Sequence, residues 1–360
     1  MTAGEKLYME GHLEEALPML RGEAKEGDSR AWFFLGLAAL YGIGDERENP
    51  AEGAARFRKG SAGDSLCLLF SAFFLPEGAV SAEGLRKAFL SAEGGEDGPA
   101  GLFAAACILR SGLSGAAEAD LEKSRALFEQ AAAAGFWQAE YELGLSLLNE
   151  NEEADKVRGA ALMKSAADKG AGIAEYRMGF CCIAGIGMEK NPSLGASYYR
   201  RAWKHGCAKA AVELGVFYES GVYVKKDEKK AGLLYKKAAE AGDAEGKAHW
   251  GDFLADGRGG KKDKKGAEKL WREAARAGSA YAVLRLGEEA FNGGEEGEAF
   301  RYFLESARMG LPAAQYLTGI CLIGGRGTEK NEGAGAEWLR RAARGGSREA
   351  ADWLMKAGLL

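Results

Sequence analysis

Apolar residues between Cys207 and Gly242 recur at helical spacing. Ala210, Leu214 and Phe217 fall at i, i+4 and i+7, one face of a helix that Gly221 stops. After a loop, Ala231, Leu234, Tyr235, Ala238 and Ala239 mark a second apolar helical face. Gly242 ends it, a glycine able to take positive φ. The segment is therefore predicted to be a helical hairpin.

The same pattern runs along the chain. Large residues in the second helix recur as Leu127/Phe128, Leu162/Met163, Tyr198/Tyr199, Leu234/Tyr235, Leu270/Trp271, Tyr302/Phe303 and Trp338/Leu339. Small pairs such as Ala131/Ala132, Ala238/Ala239 and Ala342/Ala343 follow four residues later, so that large and small side chains can interdigitate. A marker glycine closes each unit, at Gly27, Gly63, Gly98, Gly135, Gly170, Gly206, Gly242, Gly278, Gly310 and Gly346. The intervals are 36, 35, 37, 35, 36, 36, 36, 32 and 36 residues, which is the period of a stacked-repeat architecture.

Nine residues after most markers stands a second glycine: Gly36, Gly144, Gly179, Gly215, Gly251, Gly287 and Gly319. Ala72 and Cys107 replace it where it fails. A mid-helix glycine costs about 1 kcal/mol of helix propensity against alanine. Its recurrence predicts two helix backbones approaching where a Cβ would clash. Paired glycines also begin several inter-helix loops, from Gly42, Gly185, Gly257 and Gly325.

A single hairpin cannot offset the conformational entropy of ordering about 36 residues, on the order of 50 kcal/mol. Stacking must supply the rest. The expected fold is all-α, a right-handed solenoid of antiparallel helical hairpins forming one repeat domain over 1–360. Residues 1–27 make a truncated first unit with Gly4 in the position-nine role, 28–346 make nine units, and 347–360 make a capping helix. The rhythm loosens between Gly63 and Gly135.

Each unit resembles the Sel-1-like repeat, a relative of the tetratricopeptide repeat. The resemblance rests on A-x-x-x-L-G-x-x-Y-x-x-G-x-G followed by A-x-x-W/Y-Y-x-K-A-A-x-x-G. AEYRMGFCCIAGIG from Ala174 with GASYYRRAWKHG fits it, and the stretches from Ala210, Ala244 and Ala313 fit comparably. The resemblance implies a non-catalytic protein–protein interaction scaffold or adaptor. A regulatory adaptor of a bacterial envelope, secretion or host-interaction system is the alternative it leaves open. A β-lactamase-like hydrolase, linked to cysteine-rich relatives, is a more distant one.

Composition narrows the picture in three ways. Glycine is 53 of 360 residues against six prolines and 47% hydrophobic residues, which is not a disordered composition. The net charge of −5, with only short lysine runs at 225–230 and 261–265, argues against nucleic acid as a partner. The acidic first residues and the lack of an apolar stretch of membrane-spanning length lead us to expect a cytoplasmic, monomeric protein.

Chemistry is sparse. His12, His205 and His249 lie at unrelated repeat positions and form no metal pair, so neither metal nor cofactor is expected. No S-x-x-K, S-D-N or K-T-G motif is present, and the expectation is that the protein is not an enzyme. Cys67, Cys107, Cys181, Cys182, Cys207 and Cys321 follow no regular pairing and several take small apolar positions, as reduced buried thiols do.

Specificity must then lie in positions that vary. Positions three, seven and ten after the marker share one helix face and carry Gln138, Glu142, Arg177, Lys209, Glu213, Glu245, His249, Asp252, Tyr281, Arg285 and Glu288. This polar stripe is expected either to line a concave groove holding a peptide or protein, or to be a solvated helix face. If it lines the groove, replacing Arg177, His249 and Arg285 together should abolish capture without altering unfolding. A second feature, Phe70, Phe73, Phe74 and Leu75 before Pro76, reads as buried core, with an exposed contact patch as the alternative.

Overall fold

In the computed structural model every residue is described except 44–48, 77, 259 and 359–360. The chain is an α-solenoid of 21 helices among the described residues, with no strand and one isolated bridge, Leu113 to Ala117. The residues gather into two compact units, Met1–Ala210 and Ala211–Leu360.

The first unit opens with α1 (Ala3–Glu10) and α2 (Leu13–Lys25), then α3 (Ser29–Tyr41) and α4 (Pro50–Gly60). It continues through α5 (Ser65–Ala72), α6 (Ala82–Glu93), α7 (Gly98–Ser111), α8 (Leu121–Ala133), α9 (Trp137–Leu148), α10 (Glu153–Asp168), α11 (Gly172–Ala184) and α12 (Pro192–Lys204). The boundary between units falls inside α13 (Ala208–Ser220). The second unit holds α14 (Glu228–Glu240), α15 (Ala244–Asp256), α16 (Lys264–Arg276), α17 (Ala280–Asn292), α18 (Glu296–Arg308), α19 (Pro312–Gly324), α20 (Glu332–Arg344) and α21 (Arg348–Lys356).

Helix starts are set by short polar side chains. Asn49, Asp120, Asn191, Asp227, Asp263 and Asn331 each accept a backbone N–H of the second helix they precede. Each thereby satisfies a donor the helix itself cannot reach. Most marker glycines do end a second helix at positive φ, for example 81° at Gly135 and 92° at Gly242. Two do not. Gly63 is not left-handed, and Gly95, at φ 79°, takes the role expected of Gly98 because α6 stops at Glu93.

The position-nine glycines also need a restatement. A Cβ on Gly179, Gly215 or Gly251 would sit 2.5 Å from the ring of Tyr199, Tyr235 or Trp271, and one on Gly287 2.8 Å from Phe303. The space is therefore taken mainly by the large second-helix residue, seated on the bare backbone of its hairpin partner. Only at Gly144 is the nearest atom backbone, the Gly159 carbonyl at 3.0 Å. In the N-terminal hairpin Gly4 plays the same part, with Leu20 Cγ at 3.0 Å. Of the paired loop glycines, Gly44 and Gly259 lie outside the described residues. Gly187 and Gly327 sit against the Lys156 and Glu296 carbonyls of the preceding second helices, so they admit close stacking as well as a turn.

Inside the first unit the chain curls until its beginning meets α9. Tyr8 of α1 and Tyr41 of α3 pack on Trp137 with ring centroids 6.4 and 5.6 Å away, and Tyr41 meets Tyr141 edge-on at 5.9 Å. Phe70 is core, but Phe73 and Phe74 are 36% and 42% exposed, since α5 ends at Ala72 and carries them outward. All six cysteines are buried thiols, and burial pushes that of Cys181 up to about 11.

Candidate functional site

The sequence stripe separates into two different environments. In the first unit it is largely covered. Gln138 is wholly buried, and its Nε2 donates to the Tyr8 hydroxyl at 2.5 Å. Glu142 accepts from the Tyr41 hydroxyl at 2.7 Å and from Arg110 Nη1 at 2.6 Å. Both were expected on an open face, lining a groove or solvated; the curl of α1 and α3 onto α9 buries Gln138 and half-buries Glu142 instead. Arg177 lies half-buried over the Tyr176 ring, 5.9 Å from its centroid, where burial opposes its charge and Tyr141, Tyr176 and Cys181 together raise its pKa. Lys209 is exposed.

In the second unit, four of the stripe residues form one network and His249 stacks on it. The Tyr281 hydroxyl donates to Asp252 Oδ2 at 2.6 Å, and Arg285 Nε donates to Asp252 Oδ1 at 2.7 Å. Arg285 also pairs with Glu288 one turn on and lies over the Trp271 ring, 5.1 Å from its centroid. Burial works against the Arg285 charge, but Asp252 and Glu288 outweigh it and raise its pKa. Burial and then Asp252 raise that of the Tyr281 phenol. His249 is sandwiched between Tyr235 and Tyr281, at 4.7 and 4.8 Å, and its burial lowers its pKa against several surrounding carboxylates. Glu213 is half-buried on α13 and Glu245 is exposed at the start of α15.

Next to this network a cavity of about 440 Å³ opens between α17, α18 and α19. Arg285 and Glu288 border it, Phe291, Leu317 and Ile320 supply apolar walls, and Arg326 stands at the rim. Two of these residues, Arg285 and Glu288, belong to the polar stripe; the others do not carry its signature. Leu317 and Ile320 occupy positions seven and ten of their unit, the same stripe, but as apolar residues they were not counted with a polar face. That change of character from His249 and Asp252 to Leu317 and Ile320 is the signal that could have located the cavity.

Asp252, Arg285 and Glu288 satisfy one another, which stiffens α15 against α17. Among the described residues no group of three or more His, Cys, Asp or Glu side chains could hold a metal ion.

Comparison with known proteins agrees with the repeat pattern. The Sel1 repeat family model matches residues 99–136, 137–170, 172–207, 208–243, 244–279, 280–311 and 312–347. The structure is similar to that of a protective antigen present in uropathogenic Escherichia coli strains, which displays an SLR fold. That likeness has 25% identity and a TM-score of 0.56, covering 96% of this chain and 76% of that one. It is also similar to a Sel1 repeat protein from Oxalobacter formigenes at 26% identity and a TM-score of 0.53, covering 78% of this chain and 97% of that one. No curated protein matches the sequence.

Proposed function

The chain belongs to the Sel1 repeat family, and from that premise we propose that it is a non-catalytic scaffold holding a peptide or protein partner at the α17–α19 cavity. Proteins of this family are generally scaffolds for protein interaction. The observation that carries the assignment is an apolar recess of about 440 Å³ bordered by a preorganised ionic network. Such a site provides an apolar anchor point with polar groups around it to set orientation. The mutual pairing of Asp252, Arg285 and Glu288 holds that border in place before a partner arrives, which reduces the ordering cost of binding.

Earlier expectations about the test change with the structure. Removing Arg177, His249 and Arg285 together would break ion pairs and ring stacking, so stability would move along with binding. Ile320 lies on the cavity wall and also packs against the Leu339, Ala342 and Leu354 cluster, so Ile320→Asp is measured together with its thermal unfolding. A photo-crosslinking side chain at Leu317 should yield a discrete adduct in the native cell, and Ile320→Asp should abolish it while far-UV circular dichroism stays unchanged. An adduct that survives that substitution removes the cavity from the binding site. The likeness to a bacterial protective antigen supports a second reading, an adaptor in an envelope or host-interaction setting. Fractionation of the native cell checks it, and confinement to the cytosolic fraction rejects it.

A further inference from the structure

The second unit contains an internal comparison that defines what the cavity accepts. Two inter-helix loops carry Arg at the same repeat position: Arg258, sixteen residues after Gly242, and Arg326, sixteen after Gly310. Arg258 reaches back to Glu219, which stands at position thirteen after Gly206, one marker earlier. Glu219 is held from its other side by the Tyr235 hydroxyl at 2.8 Å, and the Arg258 guanidinium lies 4.2 Å from the Phe253 ring centroid.

Two repeats along the array, in the unit after Gly310, every partner of the arginine changes. The residue matching Glu219 is Phe291, at position thirteen after Gly278. Phe303, seated on Gly287 as Tyr235 is on Gly215, has no hydroxyl. Cys321 replaces the ring of Phe253 at position eleven, leaving room where that ring stood. Phe291, Phe303, Cys321 and Arg326 all line the same cavity. No carboxylate pairs with Arg326 among the described residues, and its side chain is exposed.

We propose that the cavity receives an acidic side chain of a partner peptide on Arg326, with a neighbouring large apolar side chain seated against Phe291, Leu317 and Ile320. The incoming carboxylate takes the part that Glu219 plays for Arg258 inside the fold. A guanidinium is more weakly hydrated than an ammonium and its planar fork matches a carboxylate, so an acidic side chain arriving there forms a charge-assisted, bidentate-capable pair. The apolar neighbour fills the recess that the change to cysteine opened. This inference rests on the scaffold function proposed above and specifies its ligand.

The test is selection of a phage-displayed library of random linear peptides on the full chain, followed by fluorescein-labelled synthetic peptides carrying Glu or Gln at the selected acidic position. Selected peptides should share Asp or Glu beside a large apolar residue. Exchange of that Glu for Gln should weaken binding about ten-fold, as expected for loss of one charge-assisted pair. Arg326→Glu, an exposed change, should shift selection toward Lys and Arg. Phe291→Glu should restore the internal pair and abolish peptide binding, whereas Phe291→Leu should retain it. Peptides that depend on Ile320 but show no acidic preference overturn this inference and leave the scaffold site standing. If Ile320→Asp changes no peptide's binding, the cavity assignment falls, and this inference with it.

Discussion

Replacing Gly251 by alanine separates packing from helix propensity. Alanine in a helix interior is favoured over glycine by about 1 kcal/mol. Against that, the new methyl would lie 2.5 Å from Trp271 Nε1 and 2.8 Å from Cδ1, and the indole is 98% buried. Displacing a close-packed side chain typically costs about 1–3 kcal/mol. The indole N–H also donates to the Ala248 carbonyl at 3.1 Å. Moving the ring strands that donor at a further cost of about 1–2 kcal/mol. The net expectation is destabilisation of about 1–4 kcal/mol. Gly22, in α2, has nothing within 4 Å of an added Cβ, so Gly22→Ala should stabilise by about 0.5–1 kcal/mol. Urea unfolding followed by circular dichroism reads both. With a slope of about 2–3 kcal/mol per molar, the Gly251→Ala midpoint of the second unit should fall by about 1 M while that of Gly22→Ala rises. Equal or raised stability of Gly251→Ala would refute the seating of Trp271 on a bare backbone as the reason for this glycine.

Further outcomes follow from the same contacts. Tyr8→Phe should cost about 1–3 kcal/mol by stranding the buried Gln138 amide, and adding Gln138→Leu should recover most of it, measured by a double-mutant cycle. His249 has a folded-state pKa below its unfolded value, so the unfolded chain binds the proton more readily. Its contribution is complete above about pH 6.5 and is lost as pH falls toward the folded pKa, and His249→Phe should flatten the thermal midpoint over that window. The six buried thiols should react slowly with a disulfide reagent at pH 8 and all become reactive on unfolding, read by absorbance.

The hairpin array was legible because its determinants are local and repeated. Helical spacing of Ala210, Leu214 and Phe217, a left-handed terminator at Gly242, and small residues such as Gly215 opposite Tyr235 all act within one unit or its hairpin. Stacking then repeats the same solution, and family membership follows from the same motif. Phe73 and Phe74 show the limit, since eight residues of α5 turn out to be too few to bring both rings inward.

The site was legible only in part, because it depends on which distant residues meet. Gln138 and Glu142 occupy the same stripe as Arg285 and Glu288, yet α1 and α3 fold back and pair them with Tyr8 and Tyr41. The cavity likewise arises where Arg326 meets Phe291 in place of the carboxylate that Arg258 finds one marker earlier, and where Cys321 stands at the position of Phe253. Period, helix ends and the packing role of the glycines are properties of neighbouring residues, and the sequence determines them alone. Which polar residues remain open to a partner depends on curvature summed over several repeats, and the tertiary structure decides that.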